Sequence, residues 1–124
     1  MKVNELSIPT RQDAEVLFQT QTPLKASASF TSGVQRVSGY AQIEILAISD
    51  QSFTIQVLEA VTVDQTGKGH FVQIQSTLSS VAVGTQQVIS TRIPRFGHYM
   101  KMVLVNGATP ETELSFAAQG LPLN

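Results

Sequence analysis

Apolar and polar residues alternate with a period of two along most of this chain, and the three-to-four-residue recurrence of an amphipathic helix is nearly absent. Leu24, Ala26, Ala28 and Phe30 alternate with Lys25, Ser27 and Ser29, which predicts a half-buried strand that breaks at Thr31-Ser-Gly33. From Ser38 to Ser49 the residues Ala41, Ile43, Ile45 and Ala47 alternate with Tyr40, Gln42, Glu44, Leu46 and Ile48. The second half of that run is apolar on both faces, as expected of a central strand. Asp50-Gln51-Ser52 supplies a turn, because Asp and Ser side chains bond their own backbone there, and Phe53, Ile55 and Val57 open the next strand.

Asp64-Gln-Thr-Gly-Lys-Gly69 reads as a surface loop with Asp64 as a turn former, and a strand is expected from His70 to Thr77. Leu78 to Val83 and Gln87 to Arg92 follow as two short strands around Gly84-Thr85, and Pro94 lies at an edge or in a loop before a long strand at Tyr99. That strand ends at Asn106-Gly107, a hairpin signal, with a closing strand at 112–118. The spacing predicts an all-β protein, an antiparallel β-sandwich or jelly roll of about seven to eight strands. The first 23 residues, with Pro9 and Pro23, read as an extended N-terminal arm ahead of a β-sandwich domain over 24–124; Ala14 to Thr20 is a candidate edge strand within the arm.

Composition narrows the functional classes. Charged residues are only 14% of the 124, and eight Lys and Arg against nine Asp and Glu leave a net charge of −1, so neither nucleic acid nor an anionic membrane is an expected partner. The absence of cysteine excludes disulfides and thiolate metal sites. No signal peptide is expected from the polar stretch Met1 to Arg11, and every apolar run falls far short of the roughly 20 residues of a membrane span.

Chemistry has few candidates. His70 and His98 stand alone, without neighbouring carboxylates or an HxH or HExxH spacing, so no catalytic residues, metal ligands or cofactors are expected. Gly33-Val-Gln-Arg-Val-Ser-Gly39 lacks the Gly-Lys-Ser/Thr ending of a phosphate cradle. Glu111 and Glu113, two apart on the expected closing strand, would share a face and are read as solvated carboxylates rather than an acid pair. Arg92, Arg95, His98 and Lys101, interleaved with Phe96 and Tyr99, form a positive cluster of the kind that can stack on and neutralise nucleic acid, but its footprint is small for a near-neutral chain, and a partner's carboxylate could use it equally well.

The segments Gly39–Gln51, ending Ser49-Asp50-Gln51, and Tyr99-Met-Lys101-Met-Val-Leu-Val-Asn106-Gly107, with Thr112 to Ala118 as a closing strand, resemble small β-sandwich structural proteins of tailed bacteriophages. The resemblance covers roughly residues 30–120, departing at Lys101, where Arg is usual, and in lacking an Asp-Gly-x-x-Trp segment. It implies a non-enzymatic virion component, made in the host cytoplasm and placed on the capsid surface. There it would act as a decoration or cement protein that binds the major capsid protein, as a homo-oligomer and preferably a trimer. The arm and the tail Gly120–Asn124 would then carry contacts between molecules, with Val16, Phe18, Arg92, Arg95, Phe96, Leu121 and Leu123 as candidate partner-binding residues. The alternative is a tail, baseplate or fibre module that binds a host glycan through Tyr40, Phe96 or Tyr99.

Overall fold

The computed structural model describes residues 15–122. Their strands are β1 (Glu15–Thr20), β2 (Ser29–Thr31), β3 (Gln35–Arg36), β4 (Tyr40–Ser49), β5 (Phe53–Ala60), β6 (Leu78–Ser79), β7 (Val81–Val83), β8 (Gln86–Pro94), β9 (Tyr99–Asn106) and β10 (Leu114–Pro122). They form two five-stranded antiparallel sheets packed as a β-sandwich. Sheet I runs β1-β10-β4-β8-β7, and in sheet II the order is β2-β9-β5-β6, with β3 also on β9. The strand total exceeds the seven or eight expected because four pieces of two or three residues are too short to show a periodicity.

The alternation sets the core. Ile43, Ile45 and Ala47 of β4 face Phe116 and Ala118 of β10 and Ile89 and Ile93 of β8, and against them sheet II turns Phe53, Ile55, Val57, Met100, Met102 and Leu104. Each large side chain removed from water contributes roughly 1.5–3 kcal/mol. β4 is the central strand of sheet I, as its two-faced apolar run predicts.

The connections depart from the hairpin reading. β9 pairs with β5 and β10 pairs with β4, so the chain after Asn106-Gly107 crosses to the other sheet instead of folding back on itself. Asp50-Gln51-Ser52 makes the same crossing from β4 to β5. The two corners lie side by side, and polar side chains tie them: Ser49 Oγ donates to Glu111 Oε2 at 3.0 Å, and the Thr112 and Glu113 N–H groups donate to Asp50. Asn106 spends its amide on the carbonyls of Leu24, Lys25 and Thr109 rather than on a tight turn. The hairpin that does form is β7–β8, where Gly84 takes φ +64 in a two-residue loop.

Of two expected strands, the one over 24–30 survives only at its end, as β2, and the one over 70–77 is absent. Over 24–28 the chain makes a turn, with Ala28 N–H on Lys25 O and Ser27 at φ 57, because distant groups take its backbone: Glu111 accepts from Leu24 N–H at 2.8 Å and Gly107 O from Ser27 N–H. Over 70–77 there is a single bridge, Val72 with Glu59, and Gln73 bonds Gln75 O and Thr77 within the segment. Leu78 to Val83 is not one strand, since the chain changes sheets at Ser80, whose hydroxyl accepts from Phe53 N–H and donates to Gln87.

The edge strand expected within the arm is β1, paired along β10 of its own chain with a bulge at Ala118/Gln119. The Tyr40 ring lies over Gly120, where an added Cβ would come within 2.5 Å, and its hydroxyl donates to Glu15. That bond and burial push the Tyr40 phenol up to about 12.

Candidate interaction surfaces

Among the described residues, two apolar surfaces remain after the core is built. The first is the outer face of sheet I. Side chains at Leu46, Ser90 and Ala117 sit opposite one another in register, as do Glu44, Arg92 and Gln119 one step along. Leu46, Val81 and Val83 are exposed there, Val81 at 61%, with half-buried Ile48 and Val88 between them. A shallow concavity of about 470 Å³ crosses this face, where Arg92 Nε pairs with Glu44 Oε2 at 3.1 Å and Gln119 donates to Glu44 Oε1.

The second is a cleft of about 240 Å³ at one end of the sandwich, between the end of β5 and the β8–β9 crossing. Val61, Val72, Ile74 and Phe96 expose apolar surface around it, and His70 lines it. The crossing is held from below by Glu59, whose Oε1 accepts from Phe96 N–H at 2.7 Å and Gly97 N–H at 2.9 Å. Gly97 is required at this approach, because a Cβ there would lie 2.7 Å from Ala60 O. Glu59 is 2% exposed, and its Oε2 has no hydrogen-bond partner among the described residues.

The sequence-derived partner residues scatter over these surfaces. Val16 is exposed on the outer face of sheet I beside Gln119, and Arg92 lies on that face in its ion pair. Phe96 is 58% exposed on the cleft. Phe18 belongs to the chain's own core and is not available as a partner contact, since β1 turns it beneath β10. Arg95 is a structural residue, donating to the carbonyls of Tyr40, Ser38 and Gly97. Leu121 is half-buried in β10, and Leu123 lies outside the described residues.

The expected positive cluster is dispersed. Arg92 is on the outer face of sheet I, whereas Lys101 is on sheet II, with its ammonium 4.5 Å from the Phe71 ring centre. Glu111 and Glu113 do not share a face: Glu111 is buried and bonded to Leu24 and Ser49, and Glu113 is exposed. Asp64 is the turn former expected, its Oδ1 accepting from Thr66 and Lys68, and these bonds lower its carboxyl pKa. Among the described residues no three metal-ligating side chains are grouped.

The inward place of Glu59 is legible in the sequence, because Phe53, Ile55 and Val57 put position 59 on the inward face. The exposed Val81-Ala-Val83 and Val72-x-Ile74 runs had none, since exposure is decided by which strand covers them.

No family model matches this chain, and no curated protein matches it. Among solved structures it is similar to the crystal structure of PBSX exported protein XepA, with a TM-score of 0.65 and 19% sequence identity over 90% of this chain. The chain spans 37% of that protein's length, and the likeness is one of fold.

Proposed function

We propose that this protein is a non-enzymatic structural component of a bacteriophage particle, and specifically a decoration or cement protein that binds the major capsid protein on the outside of the head. The observation that carries this reading is the outer face of sheet I. A five-stranded sheet that leaves Leu46 exposed on its central strand and Val16, Val81 and Val83 exposed on its two edge strands, about the Glu44–Arg92 ion pair, offers the apolar area and sparse charge of a permanent interface. The fold likeness supports the phage setting, since PBSX is a prophage. On this reading the protein acts as a homo-oligomer, with a trimer preferred, and the outer face of sheet I is the surface that meets either a second copy or the shell.

A second reading, a tail or fibre module that binds a host glycan, is favoured by one observation, the exposed ring of Phe96 on a cleft. Copy number separates the two. Quantitative mass spectrometry of purified particles is expected to find this chain near one copy per shell subunit. A few to some tens of copies per particle would move it to the tail, and absence from particles would overturn the virion assignment.

A further inference from the structure

Among the described residues, most open strand edges of the sandwich carry a device that discourages a further strand. β1 begins at the charged Glu15 and bulges against β10. The edge beside β9 is split into β2 and β3, of three and two residues, the second containing Arg36, and β6 is only two residues long. β7 is the exception, because Val81-Ala-Val83 is exposed throughout and no Lys, Arg, Asp, Glu or Pro occurs from Gly69 to Thr91. Its register also says which backbone groups are open. In a two-residue hairpin loop the flanking pair, here Val83 and Gln86, exchanges both backbone bonds, and bonding alternates from there. Val81 therefore bonds Val88, while Ala82 turns its N–H and C=O away from β8 to the outside of sheet I.

We propose that β7 pairs antiparallel with β7 of a second copy of this chain, about a two-fold axis at Ala82. The two Ala82 residues then exchange N–H···O bonds, and Val81 of each copy stands directly opposite Val83 of the other on the outer face. The two five-stranded sheets become one continuous sheet. Charge favours a second copy over a foreign strand. At a two-fold axis a surface meets itself, so charge near the axis is repelled by its own image, and this edge lies in a stretch without a formal charge. The ladder is short, because Ser80 N–H is committed to Phe53 O and Gly84 is in the turn, so the pair is a small and reversible interface. The pairing goes beyond the virion assignment without depending on it. A trimer on the shell would close through another face, and its loss and the loss of this pair read out separately, on particles and in free solution.

The test is sedimentation velocity of the full chain from micromolar to millimolar concentration, with exchange of the Ala82 amide followed by NMR at both ends. The expected result is a mass that rises toward twice the 13.4 kDa chain, with Ala82 exchange slowed at the high end. Ala82→Pro removes a donor that the hairpin does not use, on an edge strand where proline is tolerated, and should weaken association by about tenfold or more. Val81→Lys and Val83→Glu, both on exposed side chains, should each weaken it by about threefold or more when alone. Mixed in equal amounts, these two variants should regain the lost affinity, because the register sets the new ammonium opposite the new carboxylate; they decide the matter if Ala82→Pro does not fold. A monomer at every concentration, an assembly of any size that Ala82→Pro leaves unchanged, or a mixture no tighter than its two components would each overturn the proposal.

Discussion

At Asp50 one side chain joins two corners 62 residues apart: it accepts from the N–H groups of Thr112 and Glu113 at 3.0 Å and from the Thr112 hydroxyl at 2.8 Å. The hydroxyl bond first, and then the Glu113 N–H, hold the carboxyl well below its ordinary value of 3.8. A depressed folded-state pKa means that the stabilising contribution is complete above the unfolded value and is lost as pH falls below it. Asp50→Asn should therefore lower Tm at neutral pH, and the gap to the wild type should begin to narrow below about 4 and keep narrowing toward the much lower folded-state value. Thermal unfolding followed by circular dichroism across that range checks this, and a gap independent of pH would contradict it. The turn-forming character of Asp50 was legible from its type and neighbours, but its partners were not, because nothing local to 50–52 names Thr112.

Among the elements, β1 and β10 show how a strand edge is secured. The Tyr40 ring covers Gly120 and its hydroxyl reaches Glu15 at the start of β1, so one aromatic side chain ties the edge strand to the centre of the sheet. Gly120→Ala would drive a Cβ into the ring carbons nearest the Tyr40 stem, at a cost of about 1–3 kcal/mol. Amide exchange in β1 should accelerate, and the Tyr40 phenol should return from about 12 toward 10. Protected β1 amides together with an unshifted phenol would show that the ring does not hold the edge. The long strands β4, β5, β8, β9 and β10 were legible from alternation, whereas the alternation at 24–28 yielded a turn. A period of two is necessary for a half-buried strand, but pairing also needs a neighbour with free backbone groups, and Asn106 and Glu111 had already taken those of Leu24 and Lys25.

For the whole molecule, the arm and the sandwich do not divide at residue 23, because β1 completes sheet I and Phe18 is in the core. Two truncations should then behave differently. Removing residues 1–20 takes away an edge strand and a buried aromatic side chain, a loss of about 3–5 kcal/mol from Phe18 alone. Removing residues 1–14 keeps β1 and Phe18 and so should spare that loss, and on the proposed virion reading it should lower occupancy on particles. Equal destabilisation by both truncations would refute the boundary, and full occupancy after the shorter one would remove the leading segment from the interface.

The amino-acid sequence by itself determined the all-β class, the faces of the long strands, the central place of β4, and the turns at Asp64 and Gly84. These follow from local physics, since side-chain alternation and turn chemistry act within a few residues. Only the tertiary structure decided that the chain changes sheets between β4 and β5 and between β9 and β10, that Arg92 and Lys101 part to opposite sheets, and that Glu59 lines an apolar cleft. The reason is that a hairpin and a sheet-crossing corner use the same turn residues. What separates them is burial and hydrogen bonding between positions far apart in the chain, such as Leu24 with Glu111 and Phe96 with Glu59.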